Sequence, residues 1–271
     1  MTRPGSSLLA GAVTLSELVF HNTVRSVRKT HRDAIAAIAI SVLQMLIMVA
    51  VFYILLDVLG MRGMAIKGDF MLFVMSGIFV FMTHVKAMTA VSTAEGSASP
   101  MMQHMPMTPV VSVSAAALGA LYIQVLAMVV ILVGYHLLWT PFEIDHPFGA
   151  AMMLILAWAS GAALGLIFLA MKPWAPTVAS TTTQLYSRIN MFASGKMFVA
   201  NSLATGMAAM FWWNPLFHII DQGRGYTFIN YVPHKTNLWY PLAFTAVVFA
   251  LGCIAVAYTN RHQSLSWNAA R

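Results

Sequence analysis

The chain is 271 residues long, 59% hydrophobic and only 8% charged, with a mean hydropathy of +0.76. A soluble domain carries about 25% charged residues, so the composition excludes a water-soluble globular protein and implies an integral membrane protein. The formal net charge of +7 does not imply a nucleic-acid partner: no basic stripe is interleaved with base-stacking aromatics, and in membrane proteins basic residues set orientation and meet anionic lipid.

In chain order, residues 14–32 (TLSELVFHNTVRSVRKTHR) are not apolar enough to cross a bilayer. Leu15, Leu18, Val19, Val24 and Val27 share part of one helical side, with Arg25, Arg28, Lys29 and Arg32 mainly elsewhere. This pattern predicts an interfacial helix lying on the cytoplasmic leaflet. Its basic residues would attract lipid phosphate, at about 1 kcal/mol each near the surface; the competing reading is a simple stop for insertion. The first long apolar run begins near Ala34 and is too long for the apolar region of a secretory signal.

A bilayer core about 30 Å thick needs roughly 20 apolar residues in helix. That measure predicts spans over 34–58, 70–91, 110–139, 149–171 and 238–258, and a long polar fifth segment over about 176–213. The expectation is an all-α protein with six transmembrane helices and re-entrant outer helices between spans five and six. It divides into a cytoplasmic N-terminus (1–33), one membrane domain (34–259) and a cytoplasmic tail (260–271). Arg3, Arg25, Arg28, Lys29 and Arg32 precede the first span, whereas the loop between spans three and four carries Glu143 and Asp145 with no Lys or Arg. The basic excess places both termini in the cytoplasm.

The fifth segment carries Gln184, Arg188 and Lys196. Polar groups at membrane depth are costly and usually face a bundle interior or a watery path. Gln184 and Arg188 share a helical face, and Lys196 would lie about 80° further round an unbroken helix, so both cations are expected to look into one cavity. The competing reading has each snorkelling to its nearer interface. FWWNPLFHIIDQGR (211–224) follows. Its tryptophans suit the outer interface, Asn214-Pro215 suits a helix start, and Asp221 and Arg224 are spaced to pair on its wet side.

Other features have plainer readings. Gly161 and Gly165 have the spacing that lets membrane helices approach closely, within the bundle or at a dimer seam. The carboxylate pairs Asp57/Asp69 and Glu143/Asp145 read as solvated loop charge, and His84 with Lys86 as snorkelling or headgroup contacts. His136, His146 and His262 lack trusted metal-ligand spacing. The Met-rich run 101–107 around His104 has the softness for Cu(I), but methionine, 21 in the chain, reads better as flexible apolar filler. No metal site is expected.

Ser194-Gly195, then Asn214-Pro215-Leu216 about nineteen residues on, then His218-Ile219-Ile220 and Arg224, resemble the C-terminal half of type-2 ABC exporter permeases. Within these the chain is most similar to the inner-membrane branch for capsular polysaccharide and O-antigen export. The basic segment VRSVRKTHRDAIAAI and six spans with both ends inside extend the resemblance over nearly the whole chain. Two departures stand out: Lys196 interrupts a Val-Phe-Phe-like run, and the segment between spans two and three is Met-rich where Leu and Glu are typical.

The resemblance implies a permease subunit in a bacterial inner membrane, homodimeric and driven by two copies of a separate ATPase. It implies export of a capsular or other cell-surface polysaccharide, lipid-linked, with periplasmic or outer-membrane export proteins as further partners. The chain lacks a phosphate-binding loop of its own, so it is not expected to be an enzyme or to hold a cofactor; ATP and magnesium would sit on the motor. The motor would grip the cytoplasmic stretch 92–109. Glu95 lies there, and a docking helix is expected between Ser99 and Met105, beginning at Ser99-Pro100 and including Met101, Gln103 and His104. Tyr186, Arg188, Asn190 and Lys196 would line the path, and Trp212 and Trp213 would gate the exit. Two alternatives remain open: a type-2 permease for a small drug or lipid, and a non-transport assembly or anchoring subunit.

Overall fold

The computed structural model describes Glu17, Val19, Thr23, residues 34–60, Ile66, residues 68–94 and residues 109–262. Over these residues regular structure is entirely helical. In order the helices are α1 (Ala34–Val58), α2 (Phe70–Ser92), α3 (Pro109–Leu138), α4 (Pro147–Met171), α5 (Pro176–Ala193), a 3-10 turn (Ala200–Ser202), α6 (Thr205–Phe211), α7 (Pro215–Thr227) and α8 (Trp239–Arg261). Pro109, Pro147, Pro176 and Pro215 each open a helix, where a missing N–H leaves nothing unsatisfied and a fixed φ is already helical. Arg25, Arg28, Lys29, Arg32 and the expected docking segment with Glu95, Ser99, Pro100, Met101, Gln103, His104 and Met105 lie outside the described residues.

Five helices, α1, α2, α3, α4 and α8, are long and apolar enough to cross a membrane. At 1.5 Å per residue each reaches beyond the ~30 Å hydrocarbon core. The chain is a multi-pass membrane protein. Over the expected polar fifth segment, 176–213, helix stops at Ala193, and irregular backbone, a short turn and α6 follow. A sixth crossing would therefore depend on α5 alone, which has 18 residues, about 27 Å, but too many Ser, Thr and Gln to count with the other five.

Paired contacts set α1 and α3 running opposite to α2, α4 and α8. The end where α1 starts is called near, and the end where it finishes far. The core is organised around α2, 72% of whose apolar window is buried. It packs most extensively on α4 and also meets α1, α3, α5 and α7. Lipid offers apolar groups as good as leucine, so helices associate in membranes through close fit and hydrogen bonding. Gly161 and Gly165 supply that fit: a Cβ at Gly161 would stand 2.2 Å from the His84 carbonyl oxygen, and one at Gly165 2.7 Å from that of Met88. This small-residue face of α4 is therefore filled by α2 of the same chain, which leaves no room there for a dimer seam.

Hydrogen bonds pin the other helices. Trp158 Nε1 donates to the Ala117 carbonyl (2.7 Å), joining α4 to α3. Lys86, read as snorkelling, donates to Gln44 Oε1 of α1 (2.6 Å) in an exposed hydrogen bond. At the near end Thr259 Oγ1 of α8 donates to the Ala170 carbonyl of α4 (3.2 Å). At the far end Asp69, expected as free loop charge, caps α2 through the Met71 N–H (2.9 Å) and accepts from the Tyr135 hydroxyl (2.5 Å).

The α2–α4 fit yields a direct expectation. Gly161→Ala forces the His84 backbone to move and should destabilise the protein by about 1–3 kcal/mol. Gly134→Ala, where a Cβ meets nothing within 4 Å, should leave stability equal or slightly higher. Thermal unfolding of the purified variants in detergent checks the pair.

Candidate functional site

Helix α5 ends because Gly195 takes φ of +78°, a left-handed conformation that glycine adopts at helix ends without steric cost. A side chain there would also collide with Phe217, 2.6 Å from the would-be Cβ. The chain then runs as irregular backbone against Gly77 of α2, where a Cβ would meet Lys196 Cα at 3.1 Å. Gly77 is seven residues inside the far end of α2, about 10 Å in depth. Non-helical backbone at such depth requires hydrogen-bond partners from the protein.

Arg224 of α7 supplies them. Its Nη1 donates to the carbonyls of Gly195 (3.0 Å) and Phe198 (2.7 Å), and its Nη2 to that of Lys196 (2.6 Å). The guanidinium lies 4.0 Å over the Phe73 ring and is 1% exposed. The expected Asp221–Arg224 pair on a wet face does not form, since among the described residues the one ion pair joins His146 to Asp145. Asp221 is buried too, and accepts from the Tyr231 hydroxyl (2.5 Å) and Thr236 Oγ1 (2.8 Å). Burial, reinforced by that carboxylate, pushes the Tyr231 phenol far above its ordinary value, so it keeps its proton and donates. Asp221 thereby ties the 228–238 loop to α7.

Asn214 makes the second tie. Its side chain accepts from the Leu216 N–H (3.0 Å), capping α7 as the sequence anticipates. Its amide donates to Asn190 Oδ1 and to the Ala193 carbonyl (both 2.8 Å), at the last turn of α5. At His218 the Asn237 N–H donates to Nδ1 (3.2 Å), which leaves Nε2–H to donate to the Trp212 carbonyl (2.9 Å). That polarity defines a neutral imidazole with its proton on Nε2. Ser194-Gly195, Asn214-Pro215, His218 and Arg224, scattered over 31 positions of sequence, thus build one folded unit.

Lys196 is 2% exposed. Its Nζ lies 3.4 Å from the Phe81 ring centroid and 4.6 Å from that of Phe52, and has no hydrogen-bond partner. Insertion scales put a lysine at mid-membrane at a cost of about 2.5–3.5 kcal/mol, while a desolvated ring contact returns about 2. The two rings offset most of the cost but use none of the ammonium's three N–H donors.

The remaining site residues divide by exposure. Arg188 and Gln184 are exposed on one face of α5; Arg188 and Lys196 therefore do not share a cavity within one chain. Asn190 is fully buried, spent on Asn214 and on the Tyr186 carbonyl (3.1 Å). Tyr186 is half-buried, its hydroxyl 3.1 Å from His84 Nε2. Trp212 (48%) and Trp213 (54%) are exposed. Trp212 stacks on Tyr240 at 5.8 Å, and the Tyr240 hydroxyl donates to the Trp213 carbonyl (2.5 Å).

Sequence reasoning missed two features. His84 does not snorkel; it is fully buried, with Nδ1 facing the Ala157 carbonyl (3.2 Å) and Ser160 Oγ (3.0 Å) of α4. Its polar neighbours are 73 to 102 positions away, too far for local pattern to show. The second is Phe73–Gly77–Phe81, spaced by four on one α2 face, which carries Arg224, the turn and Lys196; that spacing was readable. Among the described residues no cluster of His, Cys, Asp or Glu is placed to hold a metal. No family model matches the chain, and no curated protein matches it.

Asn214 offers a graded test. Asn214→Ala loses the cap, worth about 0.5–2 kcal/mol, and strands two buried acceptors at about 1–3 kcal/mol each. Asn214→Ser keeps a capping oxygen but not the amide donors. Thermal unfolding should rank wild type above Ser and Ser above Ala.

Proposed function

We propose that the chain is the permease subunit of an ABC exporter that moves a lipid-linked cell-surface polysaccharide across a bacterial inner membrane. The observation that carries this reading is the outward face of α5. In a bundle of apolar helices, Thr181, Gln184 and Arg188 are exposed, and Arg188 has no hydrogen-bond partner among the described residues. Facing hydrocarbon, an arginine in mid-bilayer is costly; facing a watery path completed by a second copy, it is solvated and useful. Sugars present hydroxyls and apolar ring faces, which suit Gln184, Arg188 and the half-buried Tyr186.

In this reading both termini are cytoplasmic and α5 makes the sixth crossing. The segment 194–227 enters the outer leaflet and turns back, with the exposed Trp212 and Trp213 at the exit. Arg25, Arg28, Lys29 and Arg32 gather the lipid phosphate on the cytoplasmic side. Two copies of the chain pair with two ATPase subunits, which bind ATP and magnesium and press on 92–109. Asn190 acts in α5–α7 packing rather than in the path. The resemblance of the Ser-Gly to Asn-Pro-Leu arrangement favours this branch over a small-substrate permease.

The chain should co-purify with a motor ATPase carrying a phosphate-binding loop, and replacing 99–106 by Gly/Ser should abolish the complex while leaving the folded chain intact. A chain that captures no such ATPase in either form contradicts the proposal and brings the anchoring reading forward.

A further inference from the structure

Two buried donors packed on α2 lack an acceptor: Lys196 Nζ and Arg224 Nε. They belong to the two cations seated on the Phe73–Gly77–Phe81 face, Arg224 over Phe73 and Lys196 over Phe81. The side chains crowd together there, since a Cβ at Gly77 would meet Arg224 Nη2 and Lys196 Cβ at 2.9 Å each. No carboxylate pairs with either among the described residues. The chain has eight acidic residues against 15 Lys and Arg. Asp69 and Asp221, the two held within the bundle, are spent on Tyr135 and on Tyr231 with Thr236.

Arg224 has a structural task in its three carbonyls; Lys196 has none. Its backbone carbonyl serves the turn, which any residue would provide, and its side chain makes only ring contacts. A methionine or leucine would pack between Phe52 and Phe81 without a charge to bury. A buried cation with all its hydrogen-bond donors unused is a group that can still take up an anion.

We infer that Lys196 is the anion-binding residue of a site that opens between α1 and α2 and accepts the phosphate ester of an amphipathic molecule. Phe52 is the lid. It sits on α1, only 28% of whose apolar window is buried against 72% for α2. Among the described residues Lys86–Gln44, nearer the other end, joins α1 to α2 by a hydrogen bond. Displacing α1 uncovers the ammonium while the α2–α4 seam stays closed. Phe81 remains as a ring wall beside the cation, and the neighbouring Arg224 adds positive potential. An ammonium on a flexible stem suits a phosphate met at varied orientations better than a fixed fork does. An acyl or isoprenoid tail would remain among the apolar faces of α1 and α2. The inference rests on the transport reading only for its biological meaning: a phosphate-linked lipid carrier would be handed to a second basic station near mid-membrane.

The test uses the purified full chain in dodecyl maltoside, with thermal unfolding followed against added dodecyl phosphate or inorganic phosphate. Wild type should show a saturable rise in midpoint with dodecyl phosphate and a smaller one with inorganic phosphate. Lys196→Met should start from an equal or higher midpoint and lose the rise. Lys196→Arg should keep part of it, and Phe52→Ala should reach half-saturation at a lower concentration. Equal responses to both probes, lost in Lys196→Met, would keep the site and assign it to free phosphate. A Lys196→Met response equal to wild type, or no response to either probe, overturns the inference. Because no ATPase or export is involved, a phosphate response lost in Lys196→Met would stand even if no motor partner were found.

Discussion

The carbonyls of Gly195, Lys196 and Phe198 belong to no helix, lie about two turns inside the far end of α2, and find their donors in one side chain, Arg224. Without that guanidinium, irregular backbone at this depth would be buried with its carbonyls unsatisfied. The rest of the far half follows from it. Arg224 is placed because α7 is placed, and α7 is placed because Asn214 caps it and grips the last turn of α5. α5 in turn must end at Ser194-Gly195 for the carbonyls to turn toward Arg224. One charged side chain therefore substitutes for the helix that the apolar segments on either side maintain by themselves.

This arrangement separates two kinds of polar residue that composition alone lumps together. Asn190, Asn214, His218, Asp221 and, apart from its Nε, Arg224 are buried and internally matched, so their cost is largely offset within the chain. Thr181, Gln184 and Arg188 are exposed on α5 and unmatched. The first group explains how the segment folds. The second is what a fold alone would not require. Lys196 belongs to neither group: buried like the first, unmatched like the second.

The long apolar helices were legible to within a few residues because a run of some 20 apolar residues has few alternatives. The α7 start was legible because Asn-Pro is a local signal. The break at Ser194-Gly195 was visible as an oddity, but its depth was not, since that depends on Gly77, more than a hundred positions earlier. The Asp221–Arg224 pairing failed for a physical reason: spacing by three permits a pair on a helix, but three backbone carbonyls and a phenylalanine ring compete for the guanidinium and win. His84 was misplaced because an ionisable residue near a span's end is ordinarily free to reach the interface, and the α4 and α5 contacts that enclose it are invisible locally. Site residues on 1–33 and 95–106 stand on sequence alone.

The central claim is that the outer face of α5 meets water rather than lipid. With Cys253 replaced by serine, single cysteines at Gln184 and Leu185 of the assembled protein in membranes can be labelled with a charged, membrane-impermeant thiol reagent. Both positions are exposed in the single chain at nearly equal depth. The account predicts fast labelling at Gln184, protected by bound substrate, and slow labelling at Leu185. Equal, slow labelling at both positions would mean that lipid covers this face, and the path would have to be placed elsewhere.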